Sequence, residues 1–209
     1  MTATPAYRAL VATGELGRRA EAARTHLHAC ALCGRRCGAD RLAGAALGSC
    51  RTGARAVVAS WGPHHGEEEP IRGGRGSGTV FFAFCNLSCE YCQNFELSHF
   101  GEGREASPRA LAGIFLALQE AGCHNVNLVS PTHVLPQVLE ALQVAAGSGL
   151  SVPLVWNTGG YDSPEALALL DGVVDVYMPD MKYSDAGTAL DLSHVPDYPA
   201  VTRAAVKEM

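Results

Sequence analysis

The sequence predicts an α/β fold in which parallel strands alternate with helices and curve into a partial (β/α) barrel of about four units. Three observations predict it. From Thr79 onward, short apolar runs alternate with stretches of helical apolar spacing. Helix-start and helix-stop residues punctuate the switches, as at Ser107-Pro108, Gly122, Gly147 and Ser163-Pro164. Polar and thiol side chains gather just after the strands, the end at which such barrels carry their chemistry.

The elements follow in chain order. Tyr7, Leu10, Val11, Leu16, Ala20, Ala23 and Leu27 recur at roughly helical spacing, and Gly14 and Gly17 break the run into two short helices. Next comes Cys30-x2-Cys33-x3-Cys37-x12-Cys50, with glycines that permit tight turns between the thiols. Four thiols within 21 residues point to a second metal site, structural zinc or an auxiliary iron–sulfur cluster, with free structural thiols the plainer alternative. Residues 1–53 therefore read as a helical, Cys-rich metal-binding segment, stapled because it is too short to build its own core. Residues 54–78 read as a linker and a strand. The strand covers residues 54–60, and His64-His65-Gly66-Glu67-Glu68-Glu69-Pro70 reads as a solvated acidic turn, since no fixed spacing supports coordination. The glycines of residues 73–78 precede a strand instead of opening a helix, so they fail the context of a phosphate loop.

Residues 79–209 carry the repeating units. Residues 79–84 are a buried strand, and Cys85-Asn86-Leu87-Ser88-Cys89-Glu90-Tyr91-Cys92 leaves its C-terminal end. A helix starts at Ser107-Pro108 and stops at Gly122, a strand covers Val126, Leu128 and Val129, and a helix ends by Gly147. Residues 152–156 form a third strand, Ser163-Pro164-Glu165 starts a third helix through Leu170, and residues 173–178 form a fourth strand. Pro199 opens a last helix, and Cys123 reads as a small buried hydrophobe. After the four strands stand Cys85, then Ser130-Pro131-Thr132-His133, then Asn157-Thr158-Gly159-Gly160, then Pro179-Asp180-Met181-Lys182.

Composition narrows the function classes. Lys+Arg 16 against Asp+Glu 21 gives a net charge of −5, which argues against a large nucleic-acid footprint. No apolar stretch reaches the length of a membrane span and no export signal is visible, so with eight cysteines the thiols are expected to serve as metal ligands and not as disulfides, in a reducing cytoplasm. The short loop lets Cys85, Cys89 and Cys92 converge on one inorganic centre, and soft thiolates select zinc, Cu(I) or iron–sulfur. A closed zinc site needs a fourth donor, for which His99 is the nearest candidate. Three thiolates on a 4Fe–4S cluster leave one iron for a non-protein ligand.

The CxxxCxxC spacing with Tyr91 before its last cysteine resembles the signature of radical S-adenosylmethionine (SAM) enzymes. Residues 79–98, 125–136, 157–161 and 175–185 resemble the branch related to pyruvate formate-lyase activating enzymes. The four-Cys segment and Val195-Pro196-Asp197-Tyr198-Pro199 point to an uncharacterised subgroup of it. The resemblance implies a 4Fe–4S cluster on Cys85, Cys89 and Cys92, SAM on the open iron, and a 5′-deoxyadenosyl radical that abstracts hydrogen from a substrate, a glycine α-carbon on a partner protein among the candidates. It implies a one-electron donor such as flavodoxin or ferredoxin. Carried over by position, Tyr91 packs near the adenine, while Asn157, Thr158, Asp180 and Lys182 lie beside SAM's methionyl end, Asp180 orienting Lys182 or holding a monovalent cation. Two departures stand out. Ser130-Pro131-Thr132-His133 replaces the usual Gly-Gly-Glu, leaving Thr132 or a backbone carbonyl to receive SAM's amino group, and His133 to donate a proton or cap a helix. Relatives also continue for two more units, so the chain is expected to be C-terminally truncated, with its fourth strand an open edge. Two other classes compete: an iron–sulfur electron carrier, and a zinc-stabilised interaction module without SAM chemistry.

Overall fold

A computed structural model describes residues 4–44 and 48–209. Six strands form one mixed sheet, flanked by eight α-helices among the described residues. Tyr7–Ala12 (α1) and Glu15–Thr25 (α2) open the chain, followed by Ala56–His64 (β1), Glu69–Arg72 (α3) and Ser77–Phe82 (β2). A π-helical turn, Glu96–Phe100, leads to Arg104–Ala106 (β3). Then come Pro108–Glu120 (α4), Val126–Val129 (β4), Leu135–Gly147 (α5), Leu154–Thr158 (β5), Pro164–Leu170 (α6), Val176–Pro179 (β6), Ala186–Ser193 (α7) and Tyr198–Glu208 (α8).

Sheet order is β3-β1-β2-β4-β5-β6. The alternating half behaves as read: β2, β4, β5 and β6 pair in parallel, with Gly78 opposite Val126, Val126 opposite Leu154 and Val155 opposite Val176. The purely parallel sheet is corrected, because β1 pairs antiparallel with both β2 and β3. The link from β1 to β2 carries only the one-turn α3, too little for a crossover, so the chain doubles back. Among the described residues β6 pairs only with β5 and forms one edge of the sheet.

Side-chain alternation divides the sheet's two faces. Val80, Phe82, Val126, Leu128, Leu154 and Trp156 join Leu111, Phe115, Val138, Leu142 and Leu170 of the helices in one core. Tyr7, Leu16, Ala20 and Ala23 of α1 and α2 belong to that same core. Phe81, Val129 and Asn157 point the other way, into a cavity. The caps read from sequence are in place: Ser107 and Ser163 each accept from the backbone N–H three residues on, at 3.2 Å. Gly17 does not break a helix but lies inside α2, where an added Cβ would stand 2.8 Å from Gln143 of α5. The short β3 and the helix α7 were not legible in the sequence pattern.

Candidate functional site

The thiol loop leaves β2 and is tied down from three sides. Phe84 turns it at φ +65° and Ser88 again at +52°, left-handed values that cost a non-glycine residue energy. The Arg35 guanidinium donates to the carbonyls of Asn86, Leu87 and Ser193, and the Glu90 N–H donates to Leu192 of α7 at 3.0 Å. Leu87 is buried with Tyr161, Tyr183 and Tyr198 in a second apolar cluster, and it packs so closely on Gly159 that a Cβ there would meet it at 2.6 Å.

Cys85, Cys89 and Cys92 all line a single cavity of about 590 Å³ at the C-terminal ends of the parallel strands. Leu87 N–H donates to Cys85 Sγ at 3.4 Å, and the Ser98 hydroxyl donates to Cys92 Sγ at 3.3 Å. Burial pushes the Cys85 thiol above its ordinary pKa, with backbone N–H groups opposing the rise. Ser130, at the end of β4, also takes a left-handed φ of +55° against this cavity.

Five of the six residues carried over as SAM contacts line the same space: Tyr91, Asn157, Thr158, Asp180 and Lys182. Lys182 Nζ donates to Asp180 Oδ2 at 2.6 Å. Burial alone would lower the lysine pKa, yet the Asp180 carboxylate outweighs it and the net direction is up. The Lys182 N–H donates to the Tyr198 hydroxyl at 2.9 Å, which itself donates to the Gly159 carbonyl at 2.7 Å. Tyr91 is half exposed and meets Tyr183 edge-on at 6.0 Å.

Thr132 is the exception. It is buried away from the cavity and donates to Asp162 Oδ1 at 2.8 Å. Asp162, 1% exposed, also accepts from Trp156 Nε1 at 3.2 Å and from the Thr158 hydroxyl at 2.6 Å. Asp162 thus positions the wall residue Thr158. Its signal in the sequence was a lone carboxylate after a strand, too weak to single out. His133 is buried too, with Nε2 3.0 Å from the Ala83 carbonyl, and burial lowers its pKa to about 4. His99 stacks on Phe95 at 4.2 Å.

Two residues of the stretch read as a solvated acidic turn also reach the cavity: His64, the last residue of β1, and Glu67. The second thiol set lies elsewhere. Cys30, Cys33 and Cys50 are buried and Cys37 is exposed. Burial pushes the Cys33 thiol up to about 12. Arg41 donates to the Thr52 and Gly53 carbonyls beside this set, and its Nη1 lies 4.0 Å from Cys30 Sγ. The segment docks on the loop after β5, where the backbones of Cys33 and Asp162 form an isolated antiparallel β-bridge and Gly34 N–H donates to the Tyr161 carbonyl at 3.1 Å. Among the described residues no three His, Cys, Asp or Glu side chains converge as donors to one metal ion. No helix among them is long and apolar enough to cross a membrane.

Fold and site together define an α/β protein with a thiol-lined cavity at the ends of its parallel strands. No protein-family model matches the chain. It is 33% identical over 144 residues to the uncharacterized protein MJ0674 of Methanocaldococcus jannaschii, an alignment covering 65% of this chain and 40% of that protein. The chain therefore spans about two fifths of the length of the curated relative it matches.

Proposed function

We propose that this chain is a radical SAM iron–sulfur protein related to pyruvate formate-lyase activating enzymes. The observation that carries the reading is the shared cavity: three thiols of one loop open onto the same space as Asn157, Thr158, Asp180 and Lys182. The donor chemistry fits a 4Fe–4S cluster. Such a cluster takes each thiolate on a different iron, so the three sulfurs need not meet at one point, and a non-protein ligand completes the fourth iron. The cavity of about 590 Å³ is in the range that encloses a nucleoside-sized molecule. When bound, cluster and SAM supply one-electron cleavage to a 5′-deoxyadenosyl radical that abstracts hydrogen from a substrate, a protein glycyl site among the candidates.

The chain's own residues bind and orient. Lys182 offers an ammonium to the SAM carboxylate, and Asp180 aims it or shares a monovalent cation with the ligand. Thr158, held by Asp162, and Asn157 wall the methionyl end, while Tyr91 offers an aromatic face to adenine. Thr132 leaves this set, so Ser130 or a backbone carbonyl at the end of β4 receives the amino group. Four parallel strands with helices on their outer face support reading the sheet as part of a (β/α) barrel. Cys30, Cys33, Cys37 and Cys50 would hold the second metal, zinc or a further cluster, and the electron would come from a flavodoxin- or ferredoxin-like donor in the cytoplasm.

Anaerobic reconstitution with iron and sulfide, followed by dithionite and SAM, tests the reading. The parent chain is expected to form 5′-deoxyadenosine, and Cys89→Ala to abolish it together with the iron of that cluster. Absence of iron, or an unchanged yield in the variant, rejects the proposal. Iron without SAM cleavage leaves an electron carrier.

A further inference from the structure

We propose that the Glu67–His64 end of the cavity is the substrate's docking point, and that it takes a molecule presenting a primary amine or guanidinium on an apolar stem. Only the placement of the reacting carbon, toward the thiol loop, rests on the radical reading. The cation site itself stands on geometry.

Glu67 is half-buried on the cavity wall, and its Oε1 accepts from Asn127 Nδ2 at 3.0 Å. Asn127 is fully buried on β4, in the middle of the sheet between β2 and β5. That single bond fixes the direction of the carboxylate and leaves its second oxygen for a ligand. The other carboxylate of the cavity, Asp180, is already neutralised by Lys182 at 2.6 Å. Among the described residues Glu67 has no ion pair, so its end of the cavity carries uncompensated negative charge.

The same cavity has aromatic lining. His64 meets the Phe81 ring edge-on at 6.1 Å, and both line the cavity. A carboxylate and aromatic rings lining one cavity suit a cation on an aliphatic stem, which gains a charge-assisted hydrogen bond and buries its methylenes. A neutral head group gains less, and an anionic one is repelled. The uncompensated charge of the cavity is thus the Glu67 carboxylate, while Lys182 and Asp180 balance one another.

The test uses the full chain and three small probes: n-butylamine, 1-butanol and butyrate, followed by ligand-observed NMR. The parent is expected to bind n-butylamine at least about tenfold more tightly than the other two. Glu67→Gln keeps an acceptor for Asn127, and circular dichroism checks its fold; it is expected to erase the preference, and Glu67→Asp to weaken it. Equal binding of the three probes by the parent overturns the proposal without recourse to any variant. So does an undiminished preference in Glu67→Gln. A fall in SAM affinity of about tenfold in that variant also overturns it, since the carboxylate would then belong to SAM's own amine. Repeating the titration on metal-free chain separates this proposal from the radical reading, which the iron count and 5′-deoxyadenosine yield judge independently.

Discussion

Replacing Asp162 by alanine removes the support beneath the cavity wall. The carboxylate is 1% exposed and accepts from three side chains, Thr132 at 2.8 Å, Trp156 at 3.2 Å and Thr158 at 2.6 Å. Burial pushes its pKa up, the three donors pull it down, and burial wins. Without the carboxylate one threonine hydroxyl can donate to the other, 3.1 Å away, so alanine leaves two buried donors unpaired, each costing about 1–3 kcal/mol, while relief of the carboxylate's desolvation returns part of that. Neighbouring losses do not simply add, so the net cost is about 2–4 kcal/mol. At about 2–4 °C per kcal/mol for a chain of this size, the melting temperature falls by roughly 4–16 °C. Asparagine keeps one oxygen for Thr132 and Trp156 and mismatches only Thr158, which costs about 1 kcal/mol. Urea unfolding followed by tryptophan fluorescence should order the proteins parent, then Asp162→Asn, then Asp162→Ala. An alanine variant within about 1 kcal/mol of the parent would refute the reasoning, as would one more stable than the asparagine variant.

Lys182→Ala is expected to weaken SAM binding about tenfold or more by equilibrium dialysis, with iron content unaltered; normal binding would leave Lys182 only as the partner of Asp180. Gly34→Ala should destabilise by about 1–3 kcal/mol, because the added Cβ would stand 2.4 Å from the Tyr161 ring. That ring is held by stacking on Tyr198 and by its hydroxyl's bond to Asp197, so an unchanged melting temperature would count against this packing. His133 gives a pH signature. Its folded pKa of about 4 lies below the ordinary 6.5, so the fold favours the neutral ring. The contribution is fully present above the unfolded value and is lost as pH falls toward the folded one. Between pH 7.5 and 5 it removes about 2 kcal/mol. His133→Gln should flatten that slope in urea titrations, and an unchanged slope would contradict it.

Local devices were legible because they need only a few consecutive residues. Ser107 and Ser163 cap their helices through bonds to backbone three residues on, and a three-residue reach is visible in a string of letters. Asp185 caps α7 in the same way, through Thr188 N–H at 2.9 Å. The glycines mislead for the opposite reason. Gly17 looks like a helix breaker, yet it sits within α2 beside the Gln143 side chain of α5, a neighbour that only the packed pair of helices reveals.

The same division runs through the site. Thr132 follows β4 and Thr158 ends β5, but Asp162 draws Thr132 inward while Thr158 stays on the wall. Glu67 looked solvated among charged neighbours until the antiparallel return of β1 brought it under Asn127. By itself, then, the sequence determined the parallel alternation of strands and helices and the spacing of the three thiols, since periodicity and short loops are properties of neighbouring residues. Only the tertiary structure decided the antiparallel strands at one side, which polar groups face the cavity, and which are spent holding it in shape. Those outcomes depend on partners tens of residues away, whose burial and hydrogen-bond demands fix where each side chain turns.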